Sequence, residues 1–184
     1  MDVTASFKGV VPGDYFDESH TAGAFVLDNK FLCNTQPWDG KVFPVRIRTE
    51  RLDSGETITG LSPGSVIDTA HYMGGLVVNG FDIHWLDCEK VSFSYATFNR
   101  VGDPQVGYVN DSGQIAHEAF GLKPTPFGER RSFSFEPAKG SKVRRVIFVG
   151  EGAIFDEITL HGVSRTSLLA LRLDHAPAWL KHRV

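Results

Sequence analysis

The chain has 184 residues, 41% of them hydrophobic and 22% charged, which suits one domain with a single sizeable core. Its formal net charge is -3 with no acidic or basic block, which argues against a nucleic-acid partner. No run approaches the ~20 apolar residues of a membrane span, and MDVTASFKGVV lacks the charged start and apolar run of a signal peptide, so the default expectation is cytoplasmic.

Glycine (19) and proline (9) punctuate the chain while phenylalanine (14) fills the segments between them, a pattern of many short strands. The first polar stretch, Gly13–His20, carries Asp14, Asp17, Glu18 and His20. Their spacing fits no complete EF-hand loop, so it reads as a solvated loop. Ala24–Leu27 and Lys30–Cys33 flank Asp28-Asn29, residues that tolerate the positive φ of a tight hairpin. Next comes Thr35-Gln36-Pro37-Trp38-Asp39-Gly40, with turn chemistry on both sides of a tryptophan. A ring in a loop can stack on the apolar face of a pyranose, and Asn34 and Asp39 can hydrogen-bond its hydroxyls. The competing role for Trp38 is to fold back as a cap on the core.

Val42–Thr49 alternates, with Phe43, Val45 and Ile47 on one face and Arg46 and Arg48 on the other. Gly60-Leu61-Ser62-Pro63-Gly64 formally matches a nucleophile elbow, but Pro63 follows the serine and no helix is readable after it. Tyr72, with His71 beside it, is a second candidate for ligand contact, although core capping accounts for it more simply. Gly75–Leu86 reads as one strand interrupted at Asn79-Gly80, or as two around that turn. Val91–Phe98 alternates again, with Val91, Phe93 and Tyr95 inward and Ser92 and Ser94 outward. Gln105–Val109 and Gln114–His117 bracket the turn Asn110-Asp111-Ser112-Gly113. Arg131–Phe135 places Phe133 and Phe135 inward, and Val143–Val149 and Ala153–Leu160, joined by Gly150-Glu151-Gly152, close the sheet. The tail Ser164–Leu180 reads as a short C-terminal helix ended by Pro177, or as an extra strand. No linker or repeat divides residues 1–184. Cys33 and Cys88 read as buried free thiols, with a disulfide between them as the alternative.

The strand VSFSYATF at Val91–Phe98, the hairpin VGYVNDSGQ at Val106–Gln114, the strand RSFSFEPA at Arg131–Ala138 and the ending VRRVIFVGEGAIFDEITL share an order of features. Over about residues 76–160 this order resembles a jelly-roll β-sandwich of the galactose-binding or carbohydrate-binding-module type. Bacterial secreted or surface proteins with such sandwiches often close on apolar–Asp–acidic–Ile–x–apolar, and Phe155-Asp156-Glu157-Ile158-Thr159-Leu160 is similar. The resemblance implies an antiparallel jelly roll, a structural calcium, and ligands held on a concave sheet face or in loops at one end. It also implies a secreted or surface setting.

Asp156 interrupts the apolar face of the last strand. If Ile154, Ile158 and Leu160 point to the core, strict alternation sends Asp156 inward, where an unpaired carboxylate is costly. A bulge could rotate it outward, an arginine or backbone amides could satisfy it, or calcium could bind there, with Asp17 joining if the terminal strands pair. The histidines show no zinc spacing and no catalytic signature emerges. The expectation is an all-β, antiparallel jelly-roll sandwich acting as a non-catalytic binding module for carbohydrate. The alternative is a structural protein that recognises another protein surface through sheet edges or the C-terminal tail. A hydrolase or lyase using loop carboxylates comes third.

Overall fold

The computed structural model describes residues 1–16, 19, 23–27, 31–35, 44–63, 79–82, 87–98, 104–112, 120–126, 128–150 and 152–163. Their regular structure is entirely β: β1 (Val3–Ala5), β2 (Gly13–Tyr15), β3 (Ala24–Leu27), β4 (Phe31–Thr35), β5 (Val45–Arg51), β6 (Thr57–Leu61) and β7 (Asn79–Asp82), then β8 (Lys90–Thr97), β9 (Gln105–Asn110), β10 (Phe120–Gly121), β11 (Arg131–Phe135), β12 (Val143–Val149) and β13 (Ala153–His161). A seven-stranded sheet runs β11-β8-β13-β6-β5-β2 with β1 also on β13, and a six-stranded sheet runs β10-β9-β12-β7-β4-β3. Every strand pairing is antiparallel. Among the described residues no helix is long and apolar enough to cross a membrane.

Alternation drives the layering. On β8, Val91, Phe93 and Tyr95 are buried on the inner side, and on β13 Phe155, Ile158 and Leu160 join them. The six-stranded sheet contributes Val106, Tyr108, Val146 and Phe148 to the same core. Rings lock the layers together. Phe93 meets Phe148 edge-on at 5.2 Å between centroids, and Phe148 lies 4.6 Å from Phe155. Such pairs add to plain burial because the positive ring edge meets the negative face. The antiparallel sandwich expected from alternation is therefore present.

Several local expectations change. β12 and β13 were expected to close one sheet, yet they lie in different sheets, so the chain passes from one layer to the other between them. Gly150 makes that passage at φ 141°, with Pro104 Cα only 2.9 Å from where a Cβ would stand. Asn79-Gly80, read as a turn, belongs to β7, held between β4 and β12 by pairing on both sides. Two ladders outweigh the turn chemistry of the dipeptide. Part of the expected acidic loop is also a strand: β2 pairs with β5, and Asp14 sits opposite Arg46 with an ion pair at 3.6 Å. The hairpin at Ala24–Leu27 holds, although its second strand is Phe31–Thr35. Cys33 and Cys88 are both buried free thiols. Burial pushes the Cys88 thiol up to about 12 and the Cys33 thiol up as well, which keeps both inert. The tail beyond residue 163 lies outside the described residues.

Candidate functional site

The outer face of the seven-stranded sheet is built from the residues that alternate away from the core. On β8 these are Ser92 and Ser94. Register places Ser132 of β11 and Asp156 of β13 on either side of Ser94, and Ser134 and Thr159 on either side of Ser92. Beyond Thr159, Thr4 of β1 extends the row, and the two threonine hydroxyls lie 2.9 Å apart. Cross-strand partners share one side of the sheet, so the rows form a continuous band of hydroxyls. Thr4, Ser6, Ser92, Ser94, Ser132, Glu157 and Thr159 line an open trough of about 380 Å³. Phe93 also borders it, although its ring packs in the core.

A bulge in β13 shapes the trough. Between Asp156, opposite Ser94, and Thr159, opposite Ser92, β13 holds one residue more than β8. Glu157 is that residue's neighbourhood and carries the strain, with φ 51°, the left-handed region. The extra residue resets the alternation. Phe155 before it and Ile158 and Leu160 after it all face the main core. Ile154 faces a second small apolar cluster with Ile58, Ala96 and Leu52, on the outer side. Asp156 therefore shares the side of Ile154 and does not enter the main core, which corrects the strict-alternation premise.

Asp156 is nevertheless only 6% exposed, because the segment after β1 and the arm of Arg130 cover it. Its Oδ1 accepts from the Phe7 N–H at 3.3 Å, and its Oδ2 lies 2.9 Å from an Arg130 terminal nitrogen. The same nitrogen stands 3.6 Å from Glu157 Oε2, which accepts from the Ser94 hydroxyl at 3.0 Å. Burial raises the Asp156 carboxyl above its ordinary range, opposed by the Glu157 and Phe7 N–H groups and by the Arg130 charge. Of the routes open to this carboxylate, internal pairing is the one found, at a bulge. Arg130 supplies the positive charge that calcium would otherwise bring. Among the described residues no three His, Cys, Asp or Glu side chains converge as a metal site.

At the far end of the trough, His161 bridges two groups distant in sequence. Its Nε2 lies 2.8 Å from Ser92 Oγ and its Nδ1 lies 2.8 Å from Asp2 Oδ2. Asp2 Oδ1 also accepts from the Gly162 N–H at 3.3 Å. The hydrogen bond from His161, followed by that from Gly162, lowers the Asp2 carboxyl below its usual range.

Of the residues singled out from sequence, Trp38, Asp39, His71, Tyr72 and Asp17 lie outside the described residues. Asn34 is on β4, in the other sheet from the trough. Of the two in that set that are described, Asn34 and Asp156, it is Asp156 that lies beside the trough. The hydroxyl band was visible only as a polar alternation, indistinguishable from an ordinary solvent face. The Asp2–His161 contact spans 159 residues and leaves no local signal.

No protein-family model matches the chain, and no curated protein matches it either. Among solved structures the chain is similar to carbohydrate-binding modules. The C-terminal CBM6 of LamC, a marine laminarinase from Zobellia galactanivorans, is 7% identical with a TM-score of 0.38, over 88% of this chain and 99% of that one. CBM29_1, a family 29 carbohydrate-binding module from Piromyces equi, is 11% identical with a TM-score of 0.40, over 82% and 89%. A mutant of CBM29-2 is 11% identical with a TM-score of 0.39, over 87% and 91%. These proteins are of the type that the sequence at residues 76–160 resembles.

Proposed function

We propose that this sandwich binds carbohydrate in the hydroxyl-lined trough on the outer face of its seven-stranded sheet. The observation that carries the reading is the lining itself. Serine and threonine hydroxyls each donate and accept, as the hydroxyls of a polyol do, so Thr4, Ser6, Ser92, Ser94, Ser132 and Thr159 can pair with a sugar in many registers. Glu157 adds an ionised acceptor, and hydrogen bonds to a charged group are stronger than neutral ones. A volume of about 380 Å³ falls within the range of small-molecule sites. Every lining residue except Phe93 has a polar side chain, which favours a hydroxylated ligand over a lipid.

Glycan-array screening followed by calorimetry on the best binder tests the reading. Glu157→Ala and Ser94→Ala are expected to weaken binding by about tenfold or more, the worth of a charge-assisted hydrogen bond. Trp38→Ala, run in parallel, separates the trough from a loop platform: affinity lost only in that variant moves the site to the loop. Absence of any glycan binding would reject the carbohydrate reading.

A further inference from the structure

The line Ser92–His161–Asp2 has the connectivity of a proton relay. An ionised Asp2 accepting from Nδ1–H fixes the imidazole tautomer whose Nε2 carries a lone pair, and that nitrogen faces the Ser92 hydroxyl at 2.8 Å. The second Asp2 oxygen is held by the Gly162 N–H, so the carboxylate cannot swing away without breaking a backbone contact. Ser92 Oγ opens on the trough, where a bound molecule would meet it. We propose that Ser92 is an activated nucleophile and that the trough hydrolyses small acyl esters carried on a polyol. The polyol half rests on the carbohydrate reading above; the ester-cleaving half rests on the relay alone.

The flanking residues suit the reaction. Ser134 and Thr159 stand opposite Ser92 on the two neighbouring strands, at a cross-strand side-chain spacing of about 5 Å. Backbone N–H groups in the middle of a sheet are committed to the ladder, so these hydroxyls are the donors available to a carbonyl oxygen as it gains charge. In the acylation step Ser92 Oγ bonds to the acyl carbon while its proton passes to His161 Nε2, and the carbonyl electron pair moves onto oxygen. Collapse expels the alcohol, which takes that proton and leaves acyl-Ser92. Water then gives a proton to Nε2, adds to the acyl carbon and displaces Ser92 Oγ, which recovers the proton. Ester and water become alcohol and carboxylic acid, with no other reactant. Asp2 is a positioning residue throughout and stays ionised.

The same three groups also tie the end of β13 to the N-terminal segment, so the test reads chemistry as well as folding. The full chain is treated with a fluorophosphonate probe and mapped by mass spectrometry, and its turnover of p-nitrophenyl acetate is measured. The expected result is an adduct on Ser92 and a turnover that Ser92→Ala lowers by about 100-fold or more. Asp2→Asn is expected to lower kcat with KM unchanged, with cooperative melting retained in both variants. Turnover unaffected by Ser92→Ala together with no adduct at Ser92 would overturn the proposal. Sugar affinity measured on the native chain keeps the two readings apart: affinity with no ester cleavage overturns only the hydrolysis, whereas labelling of Ser92 without sugar affinity overturns only the polyol.

Discussion

Asp156 holds its proton to higher pH in the folded chain than in the unfolded one, because burial outweighs the N–H donors and the Arg130 charge around it. The unfolded chain therefore releases that proton first. Stability present at low pH is lost as pH rises from the ordinary aspartate range, about 4, through the raised folded value. Asp156→Asn removes this dependence. Its urea midpoint is expected to match or exceed that of the native chain at pH 7, with the advantage vanishing below about pH 4. Asp156→Ala instead leaves the Phe7 N–H without an acceptor and takes from Arg130 the nearer of its two carboxylates, and is expected to lose about 1–3 kcal/mol. An asparagine variant as unstable as the alanine one would show that the charge itself holds the site together. The sequence marked Asp156 as an acid in an apolar strand. It could not show which side the residue takes, because one bulged position sets the phase and nothing in the local composition announces it.

At the scale of the element, β13 meets β8 along one edge and both β1 and β6 along the other. The crossing with β6 depends on Gly60. A Cβ there would fall 2.0 Å from the Phe155 carbonyl oxygen, a backbone atom that cannot rotate aside. Gly60→Ala is therefore expected to cost more than about 3 kcal/mol or to abolish cooperative melting, read by circular dichroism. A variant within about 0.5 kcal/mol of the native chain would mean that β6 can retreat from β13 without loss. In the sequence Gly60 reads as turn punctuation within Gly-Leu-Ser-Pro-Gly. Its structural role is close approach between strands, and that depends on a contact almost a hundred residues away.

For the whole molecule, the two layers were legible because alternation on Val91–Phe98 and Arg131–Phe135 survives in the structure. The assignment of strands to sheets was not, since β12 and β13 are neighbours in sequence and belong to opposite layers. The face that carries the candidate site stayed hidden for a related reason: its serines and threonines are assembled from four strands by register. The core that joins the layers centres on Phe93, whose ring meets Phe133, Phe148 and Phe155. Phe93→Ala is expected to cost about 3–5 kcal/mol, most of the stability of many domains, and to shift the urea midpoint steeply. A loss below about 1 kcal/mol would show that the layers adhere without it.

The kink at Glu157 also sets how this chain can vary in length. An in-frame loss of that single codon would remove the extra residue and leave Ile158 inward and Thr159 outward, whereas one residue added to the regular run that follows would turn the end of β13 over, sending the Thr159 hydroxyl beneath the greasy layer. Connecting loops can lengthen or shrink with little penalty. Within β13 this is the one position whose loss leaves the strand facing as it does, since both the cohesion of the fold and the polar floor of its outer surface are counted from it.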